Sequence, residues 1–96
     1  MAPEAQPIIP RATTVVCRDE ETGSFAAWCE ELDVATSGPT AEAAADALVE
    51  AMRVAADFAL RHAQSVGPTF FAQLPLAEWV ARASDAEIKE RVDVHL

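Results

Sequence analysis

The chain has 96 residues, enough for one small domain. Its net charge of −9 argues against nucleic acid as a direct ligand, because phosphate binding needs clustered Lys and Arg. The same charge would steer a basic protein partner into encounter. Much of the hydrophobic fraction is alanine, beside four Phe and two Trp, so the core is expected to be thin and self-association into a dimer or tetramer would bury more surface.

Residues 1–10 carry three prolines and no periodicity, the pattern of a flexible Pro-rich arm whose Ile8-Ile9 pair could dock elsewhere. This start lacks a basic n-region and a long apolar core, so no secretory signal is expected. No apolar run approaches the length of a membrane span. The expected location is cytoplasmic, with reduced thiols.

The β-branched stretch 12–19 and the stretch 24–31 predict two strands of a hairpin, with Gly23 near the end of the turn. On the second strand Phe25, Ala27 and Cys29 share one face, and Ala26, Trp28 and Glu30 the other. A short third strand over 33–38 follows a corner near Leu32. Gly38-Pro39-Thr40 reads as the switch from strand to helix: Pro39 cannot extend a ladder, and Thr40 is the natural N-cap. The helix is expected to run to about residue 63. Ala44, Leu48, Ala51, Ala55, Phe58 and His62 make its apolar stripe, with Glu42, Asp46, Glu50 and Asp57 on the other side. Residues 65–68 break it, 69–74 predict a fourth strand, and 75–83 a short helix opened by Pro75. A further helical stretch covers 84–92, where Ser84 and Glu87 have capping-box spacing. The expected class is α+β, β-β-β-α-β, an antiparallel sheet with one long helix on one face. That domain spans 11–74, and 75–96 form a helical extension.

Cys29 is the first candidate for chemistry, but a reactive thiol needs a cation, a histidine or a helix N-terminus to lower its pKa. Its neighbours are Trp28, Glu30 and Glu31, and acids act in the opposite direction. It reads as a core cysteine, as does Cys17. Glu30 and Glu31 are adjacent on a strand and point to opposite faces, and with Asp33 they lack the spacing of a carboxylate metal site. They read as an acidic edge open to solvent or to a partner. His62 at a helix end and His95 in the tail suit packing or the helix dipole, and no nucleophile-elbow, phosphate-loop or zinc-helix motif occurs. No enzyme, catalytic residue, metal or cofactor is expected. Two readings stand for Trp28: an exposed interface residue, or one covered by the C-terminal helix that carries Trp79.

The ordered set Gly23, Phe25, Ala27, Cys29, Glu31, Leu32, Gly38, Thr40, Glu42, Ala44, Glu50 and Ala51 resembles the N-terminal domain of HicB-type antitoxins. The resemblance covers roughly residues 12–65. Glu30 stands where that family often has Pro, and Pro39 where it often has Asp or Glu. The helix-turn-helix or ribbon-helix-helix that commonly follows is not matched, so operator binding and direct contact with DNA are not implied. What the resemblance implies is a partial ribonuclease H-like fold without activity of its own, assembly into oligomers, and a HicA-like partner. That partner would be a small basic RNA-cleaving toxin whose active site the antitoxin covers. Trp28, Glu30, Glu31 and Asp33 would form the contact surface, and Cys29, Gly38, Pro39 and Thr40 would be structural. The rival expectation is a solitary homo-oligomeric domain with no toxin.

Overall fold

The computed structural model describes residues 12–62 and 68–95. The expected arm over 1–10 and most of the break over 65–68 lie outside the described residues. The elements are β1 (Thr14–Arg18), β2 (Phe25–Cys29), β3 (Val34–Gly38), α1 (Ala41–Arg61), α2 (Pro68–Arg82), α3 (Asp85–Glu90) and β4 (Asp93–His95). The class is α+β, with three antiparallel strands, a long helix on one sheet face and shorter helices after it, as the sequence predicts.

The hairpin between β1 and β2 closes through local bonds. The Asp19 N–H donates to the Ser24 carbonyl at 2.8 Å, and the Gly23 N–H to the Asp19 carbonyl at 2.8 Å. Gly23 sits at φ 72°, in the left-handed region that glycine enters without a Cβ penalty. The turn from β2 to β3 places Asp33 at φ 53°, a region that Asp tolerates better than most side chains. The resulting register sets Val16 against Ala27 and Thr14 against Cys29, and these four residues are buried.

Thr40 caps α1 as expected, its hydroxyl accepting the Ala43 N–H at 3.0 Å. The helix buries Ala44, Ala45, Leu48, Val49, Met52, Ala56 and Ala59. Fully burying a side chain such as Leu48 or Met52 stabilises the fold by about 2 kcal/mol. The buried stripe is rotated from the expected one: Phe58 is half exposed and His62 exposed. The reason is α2, which covers the Val49–Ala56 side of α1, so the helix has two neighbours rather than the sheet alone.

The expected fourth strand over 69–74 is not a strand. Residues 68–82 form one helix with Pro75 inside it. Leu76, Ala77, Val80 and Ala83 are buried, at the spacing of a helix face packed on another helix. This burial outweighs the local strand preference of Thr-Phe-Phe, and the helix spans the proline despite its missing donor. The strand that joins the sheet lies later: β4 pairs with β1 in parallel, Val16 opposite Val94, and the sheet order is β3-β2-β1-β4. The tail over 93–95, expected to be part of a helical extension, is therefore a strand.

The connection ahead of β4 is fastened at several points. Ser84 and Glu87 form the expected capping box on α3. The Arg53 guanidinium donates to the Val80 carbonyl at 3.0 Å and the Ala83 carbonyl at 2.8 Å, and meets Asp85 at 2.6 Å. The end of α2 presents exactly the carbonyls that a helix C-terminus leaves unpaired. The Thr14 hydroxyl donates to the Arg91 carbonyl at 2.5 Å, and Ile88 is fully buried.

Candidate interaction surface

The three helices lie on one side of the sheet. Helix α1 packs on β1, β2 and β3, while α2 and α3 pack on α1. Strand alternation turns Val15 and Cys17 of β1, Ala26 and Trp28 of β2, and Ala35 and Ser37 of β3 to the other side. Trp28 stands between Val15 and Ala35 in register, so its ring has apolar cross-strand neighbours. No described helix covers this face. Trp79 belongs elsewhere: it packs against the main core with the Arg91 guanidinium 4.9 Å from its ring centroid. Of the two readings for Trp28, cover by the helix carrying Trp79 is excluded.

The three acids beside Trp28 have different surroundings. Glu30 is exposed, and its backbone N–H donates to the Thr13 carbonyl at 3.1 Å. Asp33 is exposed at the left-handed position of the turn. Glu31 is partly buried and accepts two bonds from Thr13, one from its N–H at 2.5 Å and one from its hydroxyl at 2.9 Å. Its carboxylate is thus a clamp that holds the entry to β1 against the β2–β3 turn. The sequence could not reveal that role, because Thr13 is 18 residues away.

Cys29 is 1% exposed and faces the helix side. Burial pushes its thiol pKa up, and the Glu31 and Glu30 charges add to the rise, while the Leu32 and Glu31 backbone N–H groups oppose it. A thiol held protonated is a poor nucleophile. Gly38 also acts structurally, with Ala43 and Ala44 of α1 so close that a Cβ there would have no room. A polar cleft between α1 and α3, lined by Asp46, Glu50, Arg53, Asp85 and Lys89, uses its charges internally. Arg53 pairs with Asp85 and Lys89 with Asp46, each at 2.6 Å. Among the described residues no three His, Cys, Asp or Glu side chains are grouped to hold a metal ion, and no helix is long and apolar enough to cross a membrane.

No protein-family model matches the chain, and no curated protein does. A solved structure does: the crystal structure, at 1.80 Å, of a protein from Syntrophomonas wolfei subsp. wolfei described as the antitoxin part of a proposed toxin/antitoxin system. The TM-score is 0.72 at 14% identity, over 88% of this chain and 62% of that one. The chain therefore spans less than two thirds of the length of that structure. At this identity the likeness is one of fold.

Proposed function

We propose that the chain is a non-catalytic binding protein of the antitoxin type, similar to HicB, and that it covers a small basic RNA-cleaving toxin. The observation that carries the reading is the sheet face around half-buried Trp28, which no described helix covers, edged by the exposed carboxylates of Glu30 and Asp33. A tryptophan in a flat apolar setting is the usual anchor of a protein interface. Carboxylates at its rim and a chain charge of −9 raise the encounter rate with a cationic surface. The shared fold with the Syntrophomonas wolfei protein supports the class of partner by analogy of fold. Glu31 is assigned to holding the turn that presents Glu30 and Asp33.

The test mixes the purified chain with the small basic protein encoded beside it and follows binding by calorimetry. The expected result is a complex with a dissociation constant below about 1 µM, weakening as salt rises. Trp28→Ala should cost about 2 kcal/mol or more, roughly thirtyfold in affinity. The double change Glu30→Lys and Asp33→Lys should mainly slow association. Absence of a complex at roughly 10 µM, or a complex indifferent to Trp28→Ala, would overturn the reading.

A further inference from the structure

Strand β4 brings to the Trp28 face a residue that no sequence pattern placed there. Paired positions on neighbouring strands turn their side chains to the same face of a sheet. Ala35 pairs with Trp28, Trp28 with Val15, and Val15 with Asp93. One row therefore crosses all the strands of the sheet, in the order β3-β2-β1-β4, and ends in a carboxylate. Asp93 is exposed, and none of the ion pairs among the described residues includes it. In the helical extension that the sequence predicts, it would have no fixed relation to Trp28.

Neighbouring strands lie about 4.8 Å apart, so Asp93 stands roughly 10 Å across the sheet from Trp28, with Val15 between them. Trp28 is half-buried, and its cross-strand neighbours Val15 and Ala35 are both smaller than an indole. Glu30 follows directly after β2 and is exposed as well. The face has no cation of its own in β1, β2 or β3. Arg18 is the one basic residue of those strands, and it alternates with buried Val16 to the helix side. An aromatic ring flanked by carboxylates that lack a described ion partner is a surface that attracts a cation.

We propose that this row seats an arginine side chain of the basic partner, its guanidinium resting on the Trp28 ring and donating to the Asp93 carboxylate. The inference rests on the proposed function, which supplies the partner. It adds the chemical group that is recognised and a residue on β4 that recognises it. Charge complementarity selects a cation, and the spacing selects which one. A guanidinium is planar and weakly hydrated, so it stacks on an aromatic ring while its edge still presents N–H donors. From above Trp28 that edge reaches over Val15 toward Asp93, where a carboxylate accepts it in a charge-assisted bond. A lysine ammonium is a compact, strongly hydrated point charge, which engages the ring or the carboxylate but does not span the two. Glu30, beyond the end of β2, adds to the attraction without being needed for the selection.

The experiment replaces the partner with tetra-arginine and tetra-lysine peptides, which carry equal charge. Each is titrated at low ionic strength into the isotopically labelled chain, and NMR follows the Trp28 indole and the backbone amides of Val15 and Asp93. Tetra-arginine should bind about threefold or more tighter than tetra-lysine. Asp93→Asn removes the charge at an exposed position, and Trp28→Leu keeps apolar bulk without an aromatic ring. Each should bring the two affinities together. Glu78→Gln, an equal loss of charge at an exposed position of α2, should weaken both peptides alike and keep their ratio. Far-UV circular dichroism verifies that the variants are folded. Equal affinities in the parent would overturn the proposal, as would an arginine preference that survives Asp93→Asn. The two readings fail separately. An arginine preference without a complex with the neighbouring basic protein would sink the proposed function and leave the guanidinium seat standing. A tight complex beside equal peptide affinities would do the reverse.

Discussion

Gly38→Ala tests the joint between β3 and α1. A Cβ at this position would stand 2.8 Å from the Ala44 nitrogen, and 3.1 Å from both the carbonyl carbon and the Cβ of Ala43. Two of these are backbone atoms of a capped helix, so relief requires the first turn of α1 to move off the sheet by several tenths of an ångström. Overpacking of this kind costs about 1–3 kcal/mol. The same movement stretches the Thr36–Ala44 hydrogen bond, now 3.0 Å, at a cost of about 1 kcal/mol. Against this, alanine lowers the entropy of the unfolded chain and returns about 0.4–1 kcal/mol. The clash wins, and the expected net loss is about 2 kcal/mol. For a domain of this length that lowers Tm by roughly 8–16 °C. Urea unfolding followed by tryptophan fluorescence measures it. Gly23 is the control: it has nothing within 4 Å and φ +72°, so its cost is one of backbone conformation alone. Asn should recover stability relative to Ala at position 23 and should be no better than Ala at position 38. A Gly38→Ala variant within about 0.5 kcal/mol of the parent would refute the account.

The two thiols should separate in an Ellman titration of the native chain at neutral pH. Partly exposed Cys17 should react promptly and buried Cys29 only on unfolding, with Cys29→Ser removing the slow phase alone; two fast phases would contradict the placement. Stability around α3 should depend on pH at both extremes. The Ser84 backbone N–H and hydroxyl hold Glu87 below its ordinary 4.5. Its contribution is therefore complete above 4.5 and disappears as pH falls through the lower folded value. The Asp46 carboxylate holds Lys89 above its ordinary 10.5, so that contribution is complete below 10.5 and fades as pH climbs through the higher folded value. The stability gap between the parent and Glu87→Gln should shrink on acidification from about pH 7 to about pH 3. A gap that stays constant would show that the carboxylate charge has no part in the cap.

Much of the first half of the chain was legible because its signals are local. Gly23 near the end of its turn and Thr40 as N-cap each depend on residues within a few positions, as does the Ser84–Glu87 box later in the chain, and strand alternation sets Cys29 and Trp28 on opposite faces. The candidate surface was legible only in part. Trp28, Glu30 and Asp33 follow from pattern, while the clamp of Glu31 on Thr13 depends on two segments meeting.

What the sequence by itself determined is the β-β-β-α order, its turns and caps, and the acidic, alanine-rich character of the chain. Residues 68–82 were decided by tertiary structure. Thr-Phe-Phe favours a strand locally, but the slot beside β1 is filled by Asp93–His95, and α1 offers an apolar side on which Leu76, Ala77 and Val80 are buried. Three residues are too few to show a period, so β4 could not be read in advance. With the described helices gathered on one side, none of them covers the face of half-buried Trp28. That outcome depends on where the chain packs after α1, which no local pattern encodes.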